Sequence, residues 1–174
     1  MATSTIVSEQ EYLRTSYEYD CEYVDGEVRE RGLPDEYHSV IQQCLCVYFG
    51  SMKKELGVRV RPDLRVKVSA RHYRIPDVTL LRQTAPFQPI PTEAPLLCVE
   101  VVSPDDRVSE QQEKIDEYVA MGVEHIWIID PHRRTMAVAD ASGTRMVTEY
   151  GMAGTRVRIT REMLFAEIEE LAGR

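Results

Sequence analysis

No apolar run in the 174 residues approaches the length of a membrane span, so no spanning helix is expected. The opening MATSTIVSEQEYL has neither a basic start nor an apolar core, and no secretory signal is expected from it. Four cysteines are present, yet none forms a CxxC pair with zinc-ligand spacing. Cys44 and Cys46 lie two apart in a helical pattern, Cys98 sits in an apolar strand, and Cys21 is alone. Reduced thiols of a cytoplasmic protein are expected rather than a disulfide framework. Positive charge is scarce too: 21 Lys and Arg against 29 Asp and Glu leave a net charge of −8. A protein living mainly on phosphate contacts is usually basic, so a nucleic-acid role must rest on a local patch. Arg59, Arg61, Arg65, Lys67, Arg71 and Arg74 in VRVRPDLRVKVSARHYR are one candidate. The alternative is the solvated face of a strand pair, and the sequence does not choose between them. Internal repeats, low-complexity linkers and a second core are all missing. Residues 1–174 therefore read as a single domain, with the 43% hydrophobic and 29% charged content of a soluble globular chain.

What is present reads as a mixture of helices and strands. Ser8 with Glu11 is a capping box opening a short helix through Leu13 and Tyr17. CEYVDGEVRE is a hairpin turning at Asp25-Gly26. Pro34-Asp35 opens a long helix ending at Gly57, with Val40, Ile41, Cys44, Leu45, Val47, Tyr48 and Met52 on its apolar face. VRVRPDLRVKV and YRIPDVTLL read as strands around the turn SARH, and the proline-rich TAPFQPIPTEAP as a loop. PLLCVEVV, EQQEKIDEYVAMG and EHIWIID form a strand–helix–strand passage, a βαβ unit with a right-handed crossover expected. TMAVAD, TRMVTEY and TRVRI suggest a β-meander, and REMLFAEIEEL a terminal amphipathic helix. The fold class is mixed α/β, a central mixed sheet with helices on its faces.

One residue contradicts its surroundings. Glu100 interrupts Leu96, Leu97, Cys98, Val99, Val101 and Val102, a run of the kind buried on both faces of a sheet. An ionised carboxylate there is strongly unfavourable unless something pairs with it. Pro-Asp occurs at Pro34-Asp35, Pro62-Asp63, Pro76-Asp77 and Pro104-Asp105, usually a mark of turns or element starts. Asp35 and Asp105 fall at expected helix N-termini or loops, and Asp63 interrupts a basic strand. Asp77 differs, because Val78 to Leu81 continue as a strand and put it at a bend entering the sheet. If the two strands are neighbours, Asp77 and Glu100 stand side by side and repel unless a cation or proton lies between them. Mg²⁺ holds such a pair as anions, using one or two carboxylates and filling its other positions with water and phosphate. Lys114 falls at the edge of the apolar face of the following helix, between Met121 and Tyr118 on a helical wheel. Glu110, Glu113 and Glu117 cluster beyond it on the outer side. Lys114 either reaches the carboxylates and assists a water nucleophile, or is a surface lysine paired with Glu110 at i−4. Trp127 and Tyr118 read as core anchors, and Ser103 has no His/Asp partners to make it a nucleophile.

The order YRIPDVTLL, PLLCVEVVSP and QEKIDEYVAMGVEHIWIIDP, with EYVDGEVRER and PDEYHSVIQQ before it, resembles the bacterial Uma-type restriction-endonuclease family of the PD-(D/E)xK nuclease superfamily. The match runs from about Glu22 to Asp130. The resemblance implies a restriction-endonuclease-like core and Mg²⁺-dependent hydrolysis of DNA phosphodiesters, with Mn²⁺ as a substitute ion. It maps the metal-binding acids onto Asp77 and Glu100. In the nuclease reading Val101 offers its backbone carbonyl as a further ligand. The superfamily's third position, a lysine elsewhere, is Val102 here, and the resemblance moves that role to Lys114. His38 matches a histidine common in the family; it is either functional or a structural helical histidine. A homodimer is expected, since cutting both strands of a duplex is easier with two sites. Two alternatives stay open: a nucleic-acid-binding or regulatory module that cuts little, and a metal-dependent hydrolase of a smaller phosphate ester.

Overall fold

The computed structural model describes residues 6–104 and 106–173; Asp105 lies outside the described residues. The elements in chain order are α1 (Glu9–Arg14), β1 (Cys21–Val24), β2 (Glu27–Glu30), α2 (Glu36–Leu56), β3 (Val58–Pro62), β4 (Val66–Lys67), β5 (His72–Arg74) and β6 (Val78–Arg82). There follow β7 (Leu97–Val101), α3 (Val108–Met121), β8 (His125–Asp130), β9 (Thr135–Asp140), β10 (Gly143–Val147), β11 (Glu149–Gly151), β12 (Arg158–Thr160) and α4 (Arg161–Ala172).

Local chemistry sets several boundaries. The Ser8 hydroxyl accepts from Glu11 N at 3.2 Å and starts α1, which stops at Arg14 rather than running on to Tyr17. Asp35 caps α2 by accepting from His38 N at 2.9 Å, and Gly57, left-handed at φ 61°, ends it. Asp25 and Gly26, both at positive φ, make the hairpin turn between β1 and β2.

Six strands form the main sheet in the order β10-β9-β8-β7-β6-β3, with β7 and β8 parallel and the other pairs antiparallel. The expected β7–α3–β8 unit is therefore present. Strand alternation sorts the residues of this sheet onto two faces. Val78, Leu80, Leu97, Val99, Val101, Trp127 and Ile129 pack on the side of α2 and α4, where Trp127 stacks on Tyr150 at 4.2 Å. Cys98, Ile126, Ile128, Ala137 and Ala139 pack with Ile115 and Tyr118 of α3 on the other. Glu100, two residues from Cys98, shares this second face.

The two strands read from VRVRPDLRVKV and YRIPDVTLL each divide between sheets. Asp63, in the left-handed region at φ 45°, breaks the first: β3 joins the main sheet while β4 joins a four-stranded sheet ordered β2-β1-β5-β4. Ile75-Pro76-Asp77 breaks the second, sending β5 to the small sheet and β6 to the large one. The expected meander is also incomplete. TRMVTEY splits into β10 and β11, and β12 pairs with β11 in a separate ribbon instead of extending the main sheet. All four cysteines are free. Among the described residues no helix is long and apolar enough to cross a membrane.

Candidate functional site

Because β6 and β7 pair antiparallel with Val78 opposite Val99, the next positions outward are Asp77 and Glu100. The Asp77 backbone N–H donates to Val99 O at 2.9 Å, holding the bend against β7. Both carboxylates are buried, Asp77 at 1% and Glu100 at 6% exposure. They stand at one end of a cavity of about 330 Å³ where the two sheets and α3 meet. The sequence expectation that these acids are neighbours holds in the structure. Val101 lines the same cavity, as do Lys114, His38, Arg31 and Glu22.

Each carboxylate has its own set of partners. Asp77 Oδ1 accepts from Arg31 Nη2 and lies 3.0 Å from His38 Nε2; its Oδ2 accepts from Val101 N at 2.6 Å. Burial works to raise the Asp77 carboxyl. His38, Arg31 and the Val101 N–H outweigh it and hold the group below the usual carboxylate range. Gln42 Nε2 bridges Asp77 O at 2.9 Å and Asp63 Oδ2 at 2.8 Å, and Arg31 Nη1 reaches Asp63 Oδ1 at 3.1 Å. His38, held at Asp77 Oδ1, faces the site, and among the described residues its buried Nδ1 has no hydrogen-bond partner.

Glu100 behaves in the opposite way. Its Oε1 accepts from the Tyr118 hydroxyl at 2.5 Å and its Oε2 lies 3.4 Å from Lys114 Nζ. Burial pushes its carboxyl up to about 7; the charges of Asp77 and Glu22 add to this, and Lys114 and Tyr118 only partly offset it. The Glu100 anion is therefore only partly compensated by its neighbours, whereas that of Asp77 is fully so.

Lys114 is no surface lysine paired with Glu110. Glu110 pairs with Arg107 at 3.6 Å, while Lys114 Nζ lies 3.0 Å from Glu22 Oε1. Burial lowers the affinity of this amine for its proton, but Glu100 and Glu22 more than restore it, so the ammonium is retained. Glu22 on β1, 3% exposed, also accepts from Arg74 Nη1 at 2.9 Å and Ile75 N at 3.1 Å. Arg74, 1% exposed, continues to Glu117 at 2.6 Å and Glu113 at 3.1 Å. Glu113 and Glu117 thus face a buried arginine and are not the outer cluster drawn on the helical wheel.

The six-residue basic patch does not form. Arg74 is buried, Lys67 pairs with Glu9 at 2.6 Å, Arg71 with Asp25 at 3.3 Å, and Arg65 covers the Tyr12 ring at 4.8 Å. Arg31, Glu22, Gln42 and Tyr118 escaped sequence reasoning. Glu22 carried the same signal as Glu100, a carboxylate in a strand that is otherwise apolar on its buried face. Arg31 sits in a loop and carried none.

As a donor set, Asp77 and Glu100 on adjacent strands, with the Val101 backbone beside them, are all oxygen, which suits a hard divalent ion. Among the described residues no group of three or more His, Cys, Asp or Glu gathers into an all-protein metal cage. Mg²⁺ needs none, since it commonly takes one or two carboxylates and keeps waters. The charge demand of Glu100 fits such an ion.

Residues 9–169 match the model of the Uma2 family, described as "Putative restriction endonuclease". The chain belongs to this family. Among solved structures it is similar to the crystal structure of a "putative nuclease belonging to DUF820" from Anabaena variabilis ATCC 29413. That likeness has a TM-score of 0.78 at 22% identity, covering 90% of this chain and 96% of the other, and it bears on the fold. A lesser likeness is to the DrdV–DNA complex, with a TM-score of 0.37 at 15% identity, over 77% of this chain and 13% of that one. No curated protein matches significantly. The family's restriction-endonuclease description and the mixed sheet flanked by helices agree with the fold class read from the sequence.

Proposed function

We propose that the protein is a metal-dependent nuclease hydrolysing DNA phosphodiester bonds at the cavity of Asp77 and Glu100. The observation that carries this reading is the pair of buried carboxylates on adjacent strands, reached by a half-buried lysine from α3. Asp77, Glu100 and the Val101 carbonyl would hold Mg²⁺, with Mn²⁺ as a substitute. The chemistry such an ion supplies is polarisation of the phosphoryl group and activation of water.

The protein's own residues do the rest. Tyr118 fixes the rotamer of Glu100 by donating to one oxygen and leaves the other turned toward Lys114. Glu22 anchors the Lys114 ammonium so that it stays charged and aimed along the cavity. There it orients a water for in-line attack and stabilises negative charge building on the phosphate. Arg31 and His38 define the position of Asp77. This is a PD-(D/E)xK-type arrangement with the lysine supplied by the helix.

A second reading, a nucleic-acid-binding or regulatory module that cuts little, is favoured by one feature. Asp77 is already neutralised by Arg31, His38 and the Val101 N–H. The test is incubation with single-stranded, duplex and branched DNA, with Mg²⁺, Mn²⁺ or chelator. Metal-dependent cleavage lost in Asp77→Ala and Glu100→Ala supports the nuclease. Cleavage surviving in either variant removes the site, and binding without cleavage under every metal supports the second reading. Turnover of a small phosphodiester but not of DNA points to the smaller-ester hydrolase. Sedimentation with duplex DNA tests the homodimer.

A further inference from the structure

Twelve of the described Lys and Arg side chains sit at ion-pair distance from a carboxylate. Eight do not, and these are not scattered. Arg14, Arg65, Arg145 and Arg161 are apart from one another in sequence, but Lys53, Lys54, Arg59 and Arg61 line a single groove. The groove runs between the last turn of α2, which supplies both lysines, and β3, the outermost strand of the main sheet. The acid on the same turn, Glu55, is turned away and bound by Arg156 Nε at 2.8 Å. In a chain with a net charge of −8, this is local positive charge with nothing set against it.

Two further observations narrow the occupant. Residues two apart on a strand are about 6.7 Å apart and share a face, so Arg59 and Arg61 form a row along β3. That row leads to the catalytic cavity. β3 ends at Pro62, paired with Val78, and Asp63 N donates to Asp77 O at 3.3 Å. Beside the row lies Phe87, 86% exposed, with the Arg59 guanidinium 5.9 Å from its ring centre. A large apolar ring left in water next to unpaired cations suits a polyanion that also carries flat apolar faces, which a nucleic acid does and an acidic peptide need not.

We propose that the groove of Lys53, Lys54, Arg59 and Arg61 is the track on which a DNA strand lies, its phosphates on the cations and an unstacked base on Phe87, leading the strand into the cavity of Asp77 and Glu100. This deepens the nuclease reading and rests on it. It also accounts for how an acidic protein handles a polyanion: the sugar–phosphate strand meets one strip of the surface only.

The test measures affinity for a single-stranded and a duplex oligonucleotide by fluorescence anisotropy, in chelator, across a NaCl series. Lys53→Gln/Lys54→Gln/Arg61→Gln removes three exposed charges and spares Arg59, whose Nη2 holds Ala85 O at 2.9 Å. The triple variant is expected to bind at least tenfold more weakly at low salt. The slope of log K against log[NaCl] should fall by roughly 2 to 3, at about 0.7 to 0.9 for each phosphate no longer neutralised. Phe87→Ala should weaken single-strand binding several-fold and duplex binding less. A control triple, Arg14→Gln/Arg145→Gln/Arg161→Gln, removes the same net charge and should leave affinity and slope near the wild-type values. Equal loss in both triples, or none in the groove triple, overturns the proposal, as does preference for a poly-glutamate peptide over DNA. If the wild type cleaves DNA while the groove triple binds and cleaves as well as it does, the track fails and the nuclease reading stands. If the wild type neither binds nor cleaves, the nuclease reading itself fails.

Discussion

The Tyr118 hydroxyl donates to Glu100 Oε1 at 2.5 Å, from a helix face that periodicity assigns to core packing. The tyrosine is fully buried and its ring does belong to the core, but its oxygen belongs to the site. A hydrogen bond to the charged form of a carboxylate favours that form. Tyr118→Phe should therefore raise the Glu100 carboxyl further and move the pH midpoint of metal uptake upward. Titration with Mn²⁺ at a series of pH values reads this directly, and an unmoved midpoint would separate Tyr118 from the site.

Glu100 also fixes how stability varies with pH in the metal-free protein. Its folded value of about 7 lies above the ordinary 4.5, so the folded state keeps a proton that the unfolded chain has released. The associated stability is fully present below 4.5 and is lost as pH rises through 7, amounting to about 3 kcal/mol at most. Asp77 and Glu22, both lowered, act in the reverse sense and only at more acid pH. Thermal unfolding with chelator should show the wild type losing more stability between pH 5 and 8 than Glu100→Gln, which does not titrate. Parallel pH profiles for the two proteins would contradict the buried-carboxylate assignment.

Arg31 and His38 share Asp77 Oδ1. A guanidinium on that oxygen competes with any divalent ion for the same carboxylate, because both are cations. Arg31→Met should tighten Mn²⁺ binding by about tenfold, one power of ten corresponding to roughly 1.4 kcal/mol, while lowering the stability of the metal-free protein. Weaker binding in this variant would mean that Arg31 supports the metal site rather than competing with it.

Arg74 is the structural counterpart of Lys114. It holds Glu22, Glu113 and Glu117 from a position 1% exposed, and removing one partner of a buried charge network leaves the others uncompensated. Arg74→Met should destabilise by about 3–5 kcal/mol. At about 2–4 °C per kcal/mol for a chain of this size, that is a fall in Tm of more than about 6 °C. Lys114→Met should leave Tm closer to the wild type and metal affinity largely intact, yet slow cleavage by roughly 10²–10³-fold.

Much of this site was legible because it violates local rules. Glu100 stands out since a carboxylate inside LLCVEVV has no local reason to be there, and Asp77 since a strand resumes directly after it. Helical periodicity put Lys114 at the edge of the apolar face, and the family resemblance chose the site over the surface for it. The partners that tune these groups were hidden for physical reasons. Arg31 and Gln42 act across |i−j| of 46 and 35, through a loop and a polar helix face on which many residues look alike. Tyr118 satisfied a core pattern, so nothing in the periodicity revealed its hydroxyl as a donor. The fold was misread where one stretch serves two sheets. Asp63 hands the chain from the six-stranded sheet to the four-stranded one and Ile75-Pro76-Asp77 hands it back, and alternation continues on either side of each break. The basic run failed as a six-residue patch because its cations are spread over both sheets, and Lys67, Arg71 and Arg74 meet acids from α1, the β1–β2 turn and α3.

The central claim is that Asp77 and Glu100 together bind the ion on which strand cleavage depends. Calorimetric titration of Mn²⁺ at pH 8 into wild type, Asp77→Asn and Glu100→Gln tests it most directly. One site per chain in the wild type, lost in both variants along with cleavage, is the result expected. Undiminished binding in both variants would contradict it.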